Sequence, residues 1–371
     1  MRILMTSYEL PPVGGGGGVF ADRLARELVR NGHHVDLVTM GFAGLPNRER
    51  KGRLSIHRVP SFRKDLRSCR VMEAASYAVL AMPIVARLCR RNRYGIVHSH
   101  FIFPDGIIGL WARVFGGVPF IITAHGTDVP YHNPDRVRRM HLCLLPLWRL
   151  LTRRAASVVC PSRYLNSLVL KSNGTAKTNI IPNGFSPRRL SPAEEKTNRI
   201  LVVCRMIESK GIQFLLQALV DLQIDYEVVL VGDGPYIGNL IKYARKRDLP
   251  VRFTGWIEND SMRLKHLYET SRIFVFPSET ENCPLVLLEA MAAGLAIITT
   301  QGTGCAELIG QDGLLVPPRN PLAIRRALIE LVSQPAQIEK LGAAARTRLE
   351  TFYSWQAISN QYQELYQQYA R

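Results

Sequence analysis

Phe276-Pro277-Ser278-Glu279-Thr280-Glu281-Asn282-Cys283-Pro284-Leu285-Val286-Leu287-Leu288-Glu289-Ala290 passes from the end of an apolar strand through a polar loop into an apolar helix. Strand, short loop and covering helix in that order form half of a βαβ unit, from which parallel sheets are built. Outward from this stretch the alternation repeats towards both ends of the chain. It predicts strands near 200–204, 227–231, 251–254, 272–276 and 295–299, with helices near 211–223, 235–247, 283–293, 320–333 and 337–351. Earlier in the chain, strands are expected near 2–7, 34–40, 55–59, 95–99, 119–124, 156–160 and 178–182, and helices near 19–31, 71–91, 136–154 and 162–171. Between the two series lies a polar stretch, Ser186-Pro187-Arg188-Arg189 and then Ser191-Pro192-Ala193-Glu194-Glu195-Lys196, which reads as a linker over 187–198. The fold class is α/β, with two Rossmann-like, doubly wound domains over 1–186 and 199–352. Two such domains are expected to leave a cleft between the carboxyl ends of their sheets, where ligands of open α/β sheets bind.

Composition narrows the function classes. With 371 residues, 47% of them apolar and 21% charged, the chain can build two cores, which excludes disorder. No run reaches the roughly 18 uninterrupted apolar residues of a membrane-spanning helix, and Met1 leads directly into the strand-like Arg2-Ile3-Leu4-Met5-Thr6, so a cytoplasmic protein is expected. Cys69, Cys89, Cys143, Cys160, Cys204, Cys283 and Cys305 are odd in number and never spaced C-x-x-C. They read as reduced, mostly buried thiols, not as a disulfide framework or a zinc site. Residues 1–200 hold 31 Lys and Arg against 12 Asp and Glu, whereas residues 201–371 hold 17 against 18, so the whole net charge of +18 resides in the first half. Such asymmetry points to an anionic partner of the first domain: acidic lipid headgroups, a phosphorylated acceptor or nucleic acid. A nucleic-acid module without catalysis would need interleaved aromatic stacking residues, which are lacking, so no nucleic acid is expected.

The candidate chemistry lies after strands. Gly14 to Gly18 follow the first strand and precede a helix, so backbone N–H groups and the positive end of the helix dipole can face an anion. Val19 stands where a dinucleotide fingerprint would need its third glycine, which argues against NAD. Arg205 and Lys210 share the loop before Gly211 and another helix, an arrangement for a pyrophosphate. In Val231-Gly232-Asp233-Gly234-Pro235, Gly234 permits close approach of backbone to ligand. Glu281 falls at the mouth of the helix after the third such loop, and Glu289 about two turns inside, where a carboxylate among leucines is costly without partners. Ribose and sugar hydroxyls can supply those partners, while amides between Asn282 and Leu285, around Cys283 and Pro284, can receive phosphate. Ala124-His125-Gly126-Thr127-Asp128 follows an apolar strand; His125 can hydrogen-bond or polarise a substrate hydroxyl, with Asp128 close enough in sequence to orient it. There is no D-x-D pair, and no essential metal or cofactor is expected. Taken singly, each motif also fits a plain turn, a surface cation or a helix-capping acid; the series carries the weight.

That series resembles glycosyltransferase family 4 of the GT-B fold. In chain order it comprises the glycine loop, Ala-His-Gly-Thr-Asp, Ile-Pro-Asn-Gly at 181–184, Arg205 with Lys210 and Gly211, Gly-Asp-Gly-Pro, Pro-Ser-x-x-Glu and the Glu281/Glu289 pair. The resemblance implies retaining transfer of a sugar from a nucleotide-diphosphate donor, UDP- or GDP-linked, held mainly by the second domain. It assigns the diphosphate to Arg205 and Lys210, the ribose to Glu289, hydroxyls of the transferred sugar to Glu281, and the approach to the donor phosphate to Gly15 and Gly16. His125 would contact the sugar or stabilise the transition state. Cys204 replaces a frequent glycine, and Asn282-Cys283-Pro284 replaces a frequent Gly-Phe-Gly, which bears on sugar identity. The resemblance also implies that a final helix, 353–371, folds back onto the first domain. Two basic and apolar segments are read as fit to dock on an anionic bilayer. Arg63, Lys64, Arg67 and Arg70 precede Ala74–Ala86 with Arg87, Arg90, Arg91 and Arg93 following it, and Arg136, Arg138 and Arg139 lead through Leu142, Leu144, Leu145 and Trp148 to Arg153 and Arg154. The expected acceptor is therefore a lipid-linked or cell-envelope glycan at the cytoplasmic membrane face; a soluble enzyme acting on a small metabolite or polysaccharide is the alternative.

Overall fold

The computed structural model describes every residue except Arg67, Asn133 and Asp260, and leaves out the side chains of 134–142. The expected contributions of Arg67, Arg136, Arg138, Arg139 and Leu142 therefore lie outside the described residues. The chain forms two compact units, Met1–Asn183 with Trp355–Arg371, and Gly184–Ser354.

In the first unit the strands are β1 (Arg2–Ser7), β2 (His34–Met40), β3 (Arg48–Lys51), β4 (Leu54–Val59), β5 (Ile96–His100), β6 (Phe120–Thr123), β7 (Ser157–Cys160) and β8 (Thr178–Ile180). They form a sheet in the order β3-β4-β2-β1-β5-β6-β7-β8, parallel except for β3 against β4. The central strands are buried on both faces because helices cover both, as an all-parallel sheet requires. Arg48-Glu49-Arg50-Lys51 escapes a search for apolar runs because it is the edge strand, where charge faces water and discourages further pairing.

The helix Asp105–Gly116 was likewise not expected, since its glycines lower helical propensity. Those glycines have a packing reason: a Cβ on Gly109 would stand 2.6 Å from Ser99 Oγ and 2.7 Å from the Phe120 ring. The neighbouring helix Val71–Arg91 is long and apolar enough to cross a membrane by length and composition. Glu73, Ser76 and Pro83 interrupt it and hide that property from a search for unbroken apolar runs. Ala74, Tyr77, Ala78, Ala81 and Val85 form its buried face, while Met72, Val79 and Leu80 remain exposed. The final helix, Trp355–Tyr369, belongs to this unit and buries Ile358, Tyr362, Leu365 and Tyr366 in the same core cluster as Phe20 and Leu24.

In the second unit β9 (Arg199–Val203), β10 (Glu227–Val231), β11 (Val251–Gly255), β12 (Ile273–Phe276), β13 (Ala296–Thr300) and β14 (Leu314–Val316) form a parallel sheet in the order β11-β10-β9-β12-β13-β14. β14 and the helices Met262–Thr270 and Gly304–Ile309 had no counterpart in the sequence reading. Residues 187–198 lie in this unit, with Ala193 N and Thr197 N donating to the carbonyls of Glu269 and Thr270 at 3.1 and 2.8 Å. All seven cysteines are free, and Cys160, Cys204, Cys283 and Cys305 are buried.

Each strand order reverses once in direction from its starting strand, between β1 and β5 in the first sheet and between β9 and β12 in the second. At such a switch point the flanking loops diverge to opposite faces and open a crevice at the carboxyl edge.

Candidate functional site

In the first unit the glycine loop after β1, the segment after β5 and the His125 loop after β6 meet at the switch point. The helix Gly16–Arg30 starts with Gly15 as its N-cap. Glu9, which no motif singled out, places its Oε2 2.8 Å from the Gly15 amide. The Gly15 donor is thereby taken by a carboxylate, whose negative charge suits a helix N-terminus as phosphate would. Gly16 faces open space, with no atom within 4 Å of where a Cβ would stand. Gly17 makes the close approach instead: a Cβ there would lie 2.3 Å from Phe101 Cζ and 3.1 Å from His125 Cγ.

Asp128 does not orient the His125 ring. Its Oδ1 accepts from the amides of His125 and Gly126, both at 2.9 Å, and its Oδ2 from Ile102 N at 2.8 Å. The acid accepts from amides two and three residues before it and from one on the neighbouring segment, so Asp128 is a positioning residue that fixes the loop after β6 against the segment after β5. The imidazole itself has His100 as its ring partner, Nε2 to Nδ1 at 3.3 Å. Burial pushes the His125 pKa down to about 3 and likewise lowers those of His100 and His98. All three are therefore neutral near pH 7, and neutral imidazole can donate or accept but brings no charge. Behind them His98 links to Tyr366 Oη at 2.7 Å and to Thr123 Oγ1 at 2.7 Å, and Thr123 links to Tyr362 Oη at 3.0 Å. The C-terminal helix thus supports the histidine cluster through its tyrosines, a connection between residues more than 200 positions apart.

The second unit gathers its candidates on the loops after β9 and β12, on either side of its switch point. Lys210 Nζ and Glu281 Oε1 form a hydrogen-bonded ion pair, both side chains mostly buried. Ser278 Oγ donates to the same carboxylate at 3.1 Å, and Nζ lies 5.6 Å from the Phe276 ring centroid. Lys210 and Glu281, expected to serve different ligands, are partners in the structure. Gly211, with φ +70°, is required beside them, since a Cβ would stand 2.1 Å from the Pro277 carbonyl oxygen. Arg205 is exposed at the end of β9. Gly234 packs on Met206, where a Cβ would stand 2.4 Å from the carbonyl oxygen.

The helix after β12 runs over Leu285–Ala292 with Pro284 as N-cap, two residues later than expected, so Asn282 and Cys283 belong to the loop. Both are buried; the Asn282 carbonyl rests on Gly304, and the Gly304 amide donates to the Glu281 carbonyl at 2.9 Å. Glu289 Oε2 accepts from Tyr268 Oη at 2.8 Å, and burial beside that carboxylate raises the Tyr268 pKa far above its ordinary value. Tyr268 belongs to the helix Met262–Thr270, which no pattern in the sequence announces, so this partner of Glu289 emerges only in the structure. Among the described residues no group of three or more His, Cys, Asp or Glu is placed to hold a metal ion.

Comparison with known proteins identifies the fold and the family. Residues 14–189 match the family model for Glycosyltransferase Family 4, and residues 197–334 match that for Glycosyl transferases group 1. An uncharacterized glycosyltransferase of Methanocaldococcus jannaschii is 26% identical over 99% of this chain and 98% of its own length. Sucrose-phosphate synthase from Thermosynechococcus elongatus superposes with a TM-score of 0.82 at 22% identity, over 99% of this chain and 98% of that one. Anabaena Alr3699/HepE in complex with UDP superposes with a TM-score of 0.78 at 16% identity, over 99% and 100% of the two chains. Two parallel sheets, each with one switch point, and family models covering both units lead to one conclusion: the chain belongs to glycosyltransferase family 4 and has the GT-B fold.

Proposed function

We propose that the protein is a retaining glycosyltransferase that moves a sugar from a UDP- or GDP-sugar to a hydroxyl of a lipid-linked or cell-envelope glycan. The observation that carries this reading is the Lys210–Glu281–Ser278 cluster at the carboxyl edge between β9 and β12. A cation and a carboxylate held together there can divide on binding, Lys210 to a diphosphate oxygen and Glu281 to sugar hydroxyls. Arg205, exposed nearby in the chain, adds a second cation, so the leaving diphosphate is neutralised by side chains and no metal is invoked. Glu289 takes the ribose hydroxyls.

In the transfer the bond between the anomeric carbon and the phosphate oxygen breaks, and its electron pair leaves with the diphosphate. The acceptor oxygen bonds to the same face of that carbon, and its proton passes to the departing phosphate. Positive charge develops on the ring and negative charge on the leaving group, so preorganised cations lower the barrier. Neutral His125 hydrogen-bonds a carbohydrate hydroxyl without adding repulsion to the charged ring.

The exposed apolar side of Val71–Arg91, with Arg70, Arg87, Arg90 and Arg91 near its ends, supports an acceptor reached at an anionic lipid surface. Ligand-induced stabilisation tests the donor: in a panel of UDP, GDP, ADP and their sugars, one nucleotide raises Tm, and Lys210→Ala removes the rise. Equal, negligible shifts for every nucleotide would refute the donor assignment. The anomeric configuration of the product, read by NMR, tests retention.

A further inference from the structure

We propose that the first unit carries a second anion site, at the amino edge of its sheet, for a ligand bearing clustered phosphate groups. A cavity of about 530 Å³ lies there, lined by Arg113, Arg153, Lys177 and Arg371 together with Tyr369, Gly117 and the segments before three strands. Pro119, Ala156 and Lys177 immediately precede β6, β7 and β8, whereas His125 follows the other end of β6. Strands of this length separate the two edges by about 13 Å, so the cavity is distinct from the histidine crevice.

Among the described residues no Asp or Glu side chain lines it. Arg113 and Arg153 lie in the last turns of their helices, where cations complement the helix dipole, and Arg113 donates to the Arg154 carbonyl. That dipole supplies only about half a negative charge per helix end, so even without Arg371 the cations exceed what the helix ends offset. Lys177 precedes a strand and has no helix end to complement. Glycine at position 117 clears the space for Arg371, because a Cβ there would stand 2.9 Å from its Nη1. Converging cations around one concavity repel one another and focus a positive field, and two arginines with a lysine match oxygens on adjacent phosphates. The phosphates can belong to a free polyphosphate or to a lipid headgroup.

The test measures binding, not transfer, so it stands whether or not the proposed reaction is right. Titration calorimetry with tripolyphosphate compares the wild type, Arg153→Ala/Lys177→Ala and Lys210→Ala; co-sedimentation with phosphatidic acid vesicles is the second arm. Both cavity side chains are exposed, and an unchanged Tm verifies folding. The cavity variant is expected to bind tripolyphosphate at least tenfold more weakly, with Lys210→Ala keeping that component, which identifies a free ligand. Vesicle binding alone, lost in the cavity variant, identifies a lipid headgroup. If the cavity variant matches the wild type in both arms, the site does not exist.

Discussion

Lys210 and Glu281 carry opposite charges a hydrogen bond apart, and each fixes the position of the other. Replacing either by Ala leaves the other charge mostly buried without its ion-pair partner, though Glu281 keeps the Ser278 hydroxyl and Lys210 the Phe276 ring, at a cost of about 1–3 kcal/mol, which a protein of this size survives. Transfer is more sensitive, because a cation aimed at developing charge contributes about 10²–10³-fold to rate. Lys210→Ala and Glu281→Ala are thus expected to reduce kcat to background while circular dichroism still shows a cooperative unfolding transition. Turnover retained in both would remove these residues from the site. Gly17 offers a check in the first unit. Gly17→Ala drives a methyl into Phe101 and His125, an overpacking that costs about 1–3 kcal/mol, whereas Gly16→Ala meets open space. A lower Tm for the first variant than for the second is the expected result.

Helix Trp355–Tyr369 and strands β5 and β6 act together through the His98–Thr123–Tyr362–Tyr366 network. Removing one hydroxyl by Tyr366→Phe leaves buried His98 with one fewer partner and is expected to cost about 1 kcal/mol, measured by denaturant unfolding. The same cluster gives the unit an acid sensitivity. Burial holds His98 and His125 down to about 3, so in the folded state they stay neutral where the unfolded chain, with histidines near 6.5, takes up protons. Their contribution to stability is complete above about pH 6.5 and is lost as pH falls towards 3. Asp105 and Asp128, whose carboxyls burial raises, titrate in the opposite sense. The difference in Tm between wild type and His98→Gln isolates the histidine part, and it should narrow on acidification from pH 7 to pH 4. A gap independent of pH would contradict the buried, neutral state of His98.

Charge is divided between the units: the first carries 28 Lys and Arg against 11 Asp and Glu, a net +17 out of +18. Together with Met72, Val79, Val114 and Phe115 exposed on adjacent helices, this predicts that the protein sediments with phosphatidylglycerol vesicles at low salt and is released near 1 M salt, where screening shortens to about 3 Å. Met72→Asp should weaken the association by removing an exposed apolar side chain and adding a negative charge; vesicle binding indifferent to both salt and this substitution would exclude the surface.

Fold class was readable from amino-acid order because a buried parallel strand must be apolar throughout and a covering helix must be periodic, so Ile273–Phe276 and Leu285–Ala292 announce themselves. Local order also marked Lys210, Glu281, His125 and the glycine loop, since each lies directly after a strand. It could not show that Lys210 and Glu281 pair, that Glu9 caps Gly15, that Asp128 serves backbone amides, or that Tyr268 and Tyr366 reach Glu289 and His98. The Lys210–Glu281, Tyr268–Glu289 and Tyr366–His98 pairings join segments far apart in the chain and follow from packing summed over a whole core, whereas Glu9 and Asp128 act within their own loops, whose backbone path no residue pattern specified. Edge strand Arg48–Lys51 and the glycine-containing helix Asp105–Gly116 stayed hidden for the same reason: propensity argues against both, and tertiary contacts override it.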